Sequence, residues 1–377
     1  MAAPDSDVTA ERSASRAMTA ADDAAQPALD EAATTGEREA AAARAISDAK
    51  PHLPRSFYRD PSGAMRQDLL PRELREIVRS KKGVLWVDVD AASRHQHAVL
   101  EKVFDFHPLA VEDTLSPNSR VKIEEYEGYV FIIIRGVRFN DSTNDPYDFE
   151  TLNLCFFLGP NFLVTSHLDP SPSCSDIGHR LVCNPDVLDR GAARLMYLVM
   201  DAAIDRYFPI IEKVDEFIDG LEERVFVNFD SEALRSVFSV KRLVLSLRRH
   251  LSPQREVFNI LTNRPSAFLT PDLQIYFRDI YDHVLRLNDS FDTQRDLLSS
   301  TLDAYLTQVS NRLGLVTKGL SVIATLSIPF VVVSGMWGMN FTHIPLSGNP
   351  HGFWFMLALQ LGIGAGLVAI LRWRKWL

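Results

Sequence analysis

The sequence predicts an α/β domain, then one very long helix, then a two-helix membrane hairpin. Three observations carry this. Short β-branched and aromatic runs bounded by Gly, Pro and Asn fill residues 53–168. From Pro271 to Pro329 there is no proline, and Phe277, Ile280, Val284, Leu287, Phe291, Leu298, Leu302, Val309, Leu313, Val316 and Leu320 recur every three or four positions, as on one helix face. Two apolar stretches, Gly319–Phe341 and Gly352–Leu371, close the chain without a charged side chain.

Taken in order, residues 1–50 are Ala-, Asp-, Glu-, Ser- and Thr-rich with almost no large apolar residue, a composition that predicts a disordered tail. Residues 51–190 form the α/β domain. Its strands are predicted over Gly83–Asp88, Val121–Tyr126, Tyr129–Val137, Thr151–Leu158 and Phe162–Ser166. A short helix is expected over Glu101–Ala110, and Gly159-Pro160-Asn161 is a hairpin turn signal. The expected sheet is mostly antiparallel and flanked by helices. Residues 191–270 read as a helical hairpin. Its first helix carries an apolar face through Ile204, Phe208, Ile211, Phe217, Ile218, Leu221 and Val225, with eight acids and two bases between Asp201 and Glu223. That acidic face is either simply solvated or a surface that concentrates cations. The second helix, Ser231–His250, is basic, and Pro253 and Pro265 fall in or near the connection that follows.

Residues 271–341 are then the long helix running into the first span; at ~1.5 Å per residue it is a rod of roughly 100 Å, too long for a globular core to bury. Residues 342–351 form an outer loop, 352–371 the second span and 372–377 a basic end. The loop from Trp337 to His351 lacks Lys, Arg, Asp and Glu, while Arg312 and Lys318 precede the first span and Arg372, Arg374 and Lys375 follow the second. The positive-inside rule therefore puts both termini in the cytoplasm of a two-span protein of the cell membrane, with the lipid bilayer as a partner. No basic, apolar leader opens the chain.

Composition narrows function by exclusion. A net charge of −9 argues against nucleic-acid binding. Cys155, Cys174 and Cys183 are odd in number and lack metal-type spacing, so reduced cytosolic thiols are expected. No zincin, nucleophile-elbow, Walker or dinucleotide motif is present, which argues against an enzyme, an organic cofactor or ATP-driven pumping.

A second stripe on the long helix is small or weakly polar: Asp303, Leu306, Ser310, Gly314, Thr317, Leu320, Ser321, Ala324, Ile328, Val331 and Gly335. Such a stripe suits close helix packing or the wall of a narrow pore. Two spans cannot enclose a pore alone, so conduction requires a ring of subunits. A plain membrane anchor for a binding domain is the alternative.

Gly338-Met339-Asn340 stands at the end of the first span, Tyr276–His283 and Asp303–Arg312 lie on the long helix, His107–Asp113 and Val121–Phe131 lie in the domain, and Lys375-Trp376-Leu377 ends the sequence. Through these segments the chain bears a resemblance to the CorA family of divalent-cation (magnesium) transporters. The resemblance implies a funnel-shaped homopentamer conducting Mg²⁺, and also Co²⁺ and Ni²⁺, with Gly338, Met339 and Asn340 as the selectivity filter. It implies a pore and gate at Asp303, Thr317, Leu320 and Ile328. It implies a regulatory Mg²⁺ site where Asp113 and Asp279 meet across a subunit boundary.

The residues themselves leave alternatives open. Asp113 sits in turn chemistry, Asp279 in a helix-surface charge pattern, Asp303 on a solvated helix face, and Leu320 and Ile328 on lipid-facing or bundle-core positions. One departure bears on the ion. Leu346 stands where magnesium members often carry an outer-loop Glu, and His343 and His351 flank it. Imidazole suits zinc or nickel, which makes the zinc-handling ZntB branch the second reading.

Overall fold

The computed structural model describes residues 53–139, 149–227, 231–339 and 348–376. The predicted tail, Asn340, His343 and Leu346 lie outside the described residues.

The domain begins with two strands the sequence reading missed, β1 (Arg55–Arg59) and β2 (Met65–Gln67). Helix α1 (Pro71–Ser80) leads to β3 (Val84–Asp90). Two helices follow, α2 (Arg94–Lys102) and α3 (Pro108–Leu115), where a single helix over Glu101–Ala110 was expected. The break has a local cause. Asp105 takes a left-handed φ of 55°, and Pro108 opens α3 with the His107 ring accepting from Leu109 N at 3.3 Å. Strands β4 (Lys122–Tyr126), β5 (Tyr129–Phe139), β6 (Phe149–Leu158) and β7 (Phe162–His167) match four of the predicted runs.

The seven strands form one sheet in the order β2-β1-β3-β7-β6-β5-β4. Among the described residues every neighbouring pair is antiparallel except β3 and β7, so the expected antiparallel character holds with one parallel seam. Alternation places Leu85, Val87, Phe131, Ile133, Phe157 and Val164 on the face that packs with residues of α1, α2 and α3. The alternate residues Trp86, Ile132, Ile134, Leu154, Phe156 and Leu163 are also buried. Burying each such side chain contributes about 1.5–3 kcal/mol, so a sheet covered on both faces is the principal source of stability.

The return to β3 demands glycine. Gly83 sits at φ +66°, and a Cβ there would stand 2.3 Å from the Arg59 carbonyl oxygen and 2.7 Å from the Tyr58 ring. Gly83→Ala is expected to destabilise the domain by about 2–4 kcal/mol, read as a drop in the denaturant midpoint at unchanged slope. A change within about 0.5 kcal/mol would refute the strain.

Helix α4 (Pro172–Cys183), a 3₁₀ turn (Pro185–Arg190) and α5 (Ala192–Asp205) come next. Helix α5 packs on β3, β5, β6 and β7. The acidic segment is α6 (Phe208–Val227), separated from α5 by Arg206 and Tyr207. The Tyr207 hydroxyl donates to Arg135 O at 3.0 Å, which pins that junction to the sheet. After α7 (Ser231–Leu251), the proline-bounded connection is itself a helix, α8 (Gln254–Asn263). Pro253 stands at its N-cap and Pro265 lies just beyond its end, and Gln254 Nε2 also donates to Arg135 O at 3.0 Å.

The long predicted rod is one helix, α9 (Pro271–Trp337), of 67 residues. The chain divides into two compact units, one of residues 1–219 and 238–296, the other of residues 220–237 and 297–377. In the first unit α9 buries Phe277, Ile280, Val284, Leu287 and Phe291 completely. Gln294 Nε2 donates to Ile211 O at 3.1 Å and to Asp215 at 2.8 Å, and Arg248 pairs with Asp292 at 2.8 Å. In the second unit α10 (Gly352–Trp373) packs on the later part of α9. Gln360 Nε2 donates to Ser334 Oγ at 2.8 Å and to Phe330 O at 3.3 Å, so its polar end is satisfied inside the hairpin. Gly364 admits the Phe330 ring, which a Cβ would meet at 2.7 Å. Lys318 Nζ donates to Lys375 O at 3.1 Å at the other end. Both helices are long and apolar enough to cross a membrane.

Candidate functional site

Two arrangements on α9 concern cations. The first is the stripe. In the single chain Asp303, Leu306, Ser310, Gly314, Thr317, Leu320, Ile328, Val331 and Gly335 are exposed, while Ser321 and Ala324 are half-buried. Leu320 is 68% exposed and Ile328 59%, and Leu313, Val316, Ile323 and Val332 are also exposed. A helix that shows apolar residues on several faces needs lipid or further protein around it. The stripe is thus an unpaired surface of one chain. It ends at Gly338, whose N–H donates to Ser334 O at 3.0 Å, and at the exposed Met339.

The second arrangement lies in the first unit. Asp201 on α5 and Asp279 and His283 on α9 bring one ligand atom each to within 4.8 Å of one another. His283 and Asp279 are one helical turn apart, with His283 Nε2 4.0 Å from Asp279 Oδ1. His283 Nδ1 stands 3.4 Å from Asp205 Oδ1. Three carboxylates therefore converge on one imidazole. Burial and then the neighbouring Asp205 raise the Asp201 pKa, with His283 only partly offsetting them. Burial and the Asp201 charge push Tyr197 beside it up to about 12. Such a cluster is short of positive charge, and its donor set is of the kind that suits a divalent cation.

Of the two acids expected to regulate, Asp279 belongs to this cluster, with its side chain 61% exposed. Asp113 does not. It lies in the last turn of α3, held by Lys122 Nζ at 2.7 Å and by the Ser119 hydroxyl at 3.3 Å. Sequence reading missed Asp201 and His283. Asp201 stood out only as one acid among eight, and the acidic count between Asp201 and Glu223 was the signal that pointed there.

The raised Asp201 pKa has a consequence for stability. A carboxyl that holds its proton more tightly in the folded state contributes most below its unfolded pKa, and that contribution is lost as pH rises through the folded value. Without divalent ions, Asp201→Asn is therefore expected to raise Tm at about pH 7.5 more than at about pH 4, and to shrink the rise in Tm that Mg²⁺ or Co²⁺ brings. A variant less stable than wild type at both pH values in chelator would overturn this account of the cluster.

The family of CorA-like Mg²⁺ transporter proteins matches residues 81–373. The chain belongs to the CorA family. As a CorA-family protein it is a membrane-bound transporter of divalent cations; members of this family are ion transporters, not enzymes. The putative metal ion transporter YfjQ of Bacillus subtilis is 31% identical over 291 residues, 77% of this chain and 89% of its own length. The cobalt/magnesium transport protein CorA of Thermotoga maritima is 31% identical over 296 residues, 78% of this chain and 83% of its own. Among solved structures, the CorA magnesium transporter from Methanocaldococcus jannaschii superposes with a TM-score of 0.73. That match covers 86% of this chain and 99% of that one at 22% identity. The ZntB cytoplasmic domain from Vibrio parahaemolyticus has a TM-score of 0.55, covering 69% of this chain and 99% of its own at 13% identity. These two likenesses concern the fold, which for this CorA-family chain is an α/β domain, a long helix and a C-terminal membrane helix.

Proposed function

We propose that this CorA-family chain assembles as a homopentamer and conducts Mg²⁺, with Co²⁺ and Ni²⁺ as further cargo, down its electrochemical gradient into the cell. The observation that carries this reading is the small and weakly polar stripe left exposed on α9 from Asp303 to Gly335. Five copies of that stripe facing one axis make a pore wall that a single chain cannot make. Asp303 gives it an acidic ring at the cytoplasmic end, Thr317 a hydroxyl ring, and Leu320 and Ile328 constrictions that close by dewetting. Gly338-Met339-Asn340 forms the outer mouth. Both termini lie in the cytoplasm, and no organic cofactor is needed. A double charge crossing ~100 mV gains about 4.6 kcal/mol, which is drive enough for uptake.

Asp113 and Asp279 are read as a cytosolic Mg²⁺ sensor formed between neighbouring subunits, with Asp201 and His283 beside Asp279. Bound Mg²⁺ relieves the carboxylate repulsion and favours the closed ring; its loss releases the subunits. Magnesium is preferred over zinc because the Thermotoga relative at 31% identity is named for cobalt and magnesium. The ZntB likeness supports only the shared fold of the domain.

Purified protein in liposomes, with fluorescent reporters for Mg²⁺ and Zn²⁺ and an optional proton gradient, tests the ion. The expected result is Mg²⁺ entry that follows voltage and ignores the proton gradient. Zinc entry driven by that gradient, with no Mg²⁺ flux, would overturn the assignment.

A further inference from the structure

Strands β3 and β7 run in parallel, pairing Asp88 with Thr165 and Asp90 with His167. Their carboxyl ends open on a cavity of about 280 Å³ lined by Arg55, Asp88, Asp90, Gln96, His167 and Ser171. Crevices at the carboxyl ends of parallel strands are where open α/β sheets hold ligands. Two of these side chains, Asp88 and His167, also meet Cys174. The Asp88 carboxylate is 4% exposed and the His167 ring 9%. Cys174, in the first turn of α4, is fully buried. One ligand atom from each lies within 4.8 Å of the other two.

The polar groups around them are fixed. Trp86 Nε1 donates to Thr165 Oγ1 at 3.0 Å, and that hydroxyl donates to Asp88 Oδ1 at 2.6 Å. Ser171 Oγ accepts from Cys174 N at 3.2 Å and sets the start of α4. His167 is the exception. Its Nε2 pairs with Asp88 Oδ1 at 3.2 Å, while its buried Nδ1 has no hydrogen-bond partner. A buried ring nitrogen left so is costly, and imidazole is the commonest metal ligand.

We propose that Asp88, His167 and Cys174 form a binding site for a divalent transition metal of the zinc, cobalt or nickel class, separate from the α9 stripe and from the Asp201–Asp279–His283 cluster. A thiolate, an imidazole and a carboxylate are the donors such metals select, and Mg²⁺ does not. The cavity leaves room for water as a fourth ligand. On binding, the Cys174 sulfur–metal bond forms as the thiol proton is lost to solvent. Any proton on His167 leaves the same way. Two anionic ligands then neutralise the divalent ion, the arrangement that burial tolerates. The metal ties the start of α4 to the ends of β3 and β7.

The test is Co²⁺ titration of the full-length protein with the exposed Cys183 replaced by Ser. One Co²⁺ per chain is expected to give a thiolate-to-cobalt charge-transfer band with the intense visible bands of tetrahedral cobalt. Zn²⁺ should abolish these bands, and excess Mg²⁺ should leave them. The α9 stripe and the Asp201 cluster hold no thiol and contribute no such band. Cys174→Ser should remove it, and His167→Gln should weaken the affinity read from it by about tenfold or more. Absence of the band in the Cys183→Ser protein, or its persistence in Cys174→Ser, would overturn the site. Should Cys174→Ser not fold, X-ray absorption of the zinc-loaded protein decides. One sulfur neighbour supports the site, and oxygen and nitrogen alone refute it.

Discussion

Asn340→Ala is expected to cut Mg²⁺ uptake to less than about a tenth of wild type while membrane insertion and oligomer size stay unchanged. The stripe on α9 ends at Gly338 and Met339, and Asn340 is the next residue. In the proposed pentamer each Asn340 offers one amide oxygen to a shared outer ring. Mg²⁺ sheds water reluctantly, so a filter that accepts it with its water shell must present neutral oxygens in fixed number. The segment that follows supplies no carboxylate to substitute for them, because Trp337–His351 contains no acid. Alanine removes the oxygens and leaves the packing of α9 against α10 untouched, since that packing runs through Phe330, Ser334, Gln360 and Gly364. Uptake at wild-type rate from an intact oligomer would remove Asn340 from the filter.

Asp113→Ala combined with Asp279→Ala is expected to yield a channel that internal Mg²⁺ no longer shuts readily. Coupling of this kind is worth about 5- to 150-fold, so the half-inhibitory internal concentration should rise within that range. In a single chain the two acids do not share a cluster. Asp113 is tied to Lys122 at 2.7 Å, and Asp279 keeps most of its surface open beside His283. The sensor reading therefore requires the second acid to come from a neighbouring subunit, and it makes Lys122 a competitor for Asp113. Unchanged Mg²⁺ sensitivity of the double variant would return Asp113 to a structural ion pair within its domain and Asp279 to an ordinary helix-surface acid.

The long helix was legible because its cues are local and repeated. Phe277, Ile280, Val284, Leu287 and Phe291 follow one helical period, and all five are fully buried on α9. Five strands, β3 to β7, and the β6–β7 turn were legible for the same reason. The elements that escaped are those set by single backbone positions or by tertiary pairing. The break between α2 and α3 depends on a left-handed Asp105, and β1 is ordered by pairing with β3. Helix α8 lies between prolines that read as loop, although a proline at a helix start is compatible with the helix. The site divides in the same way. Asp279 was proposed from the family resemblance of one helix segment, and His283 follows it by one helical turn. Asp201 joins them only when α5 is laid beside α9, and Asp88, His167 and Cys174 meet only across the β3–β7 seam and the start of α4. No sequence spacing encodes these two tertiary meetings.

The most direct measurement is the current through the full-length protein in a planar bilayer, with Mg²⁺ as the sole permeant ion on the outer side and chelator on the cytoplasmic side. The account predicts inward current whose reversal follows the Mg²⁺ gradient and which falls as Mg²⁺ is added to the cytoplasmic side. An intact oligomer that passes no Mg²⁺ current in chelator, or whose current ignores cytoplasmic Mg²⁺, would contradict it.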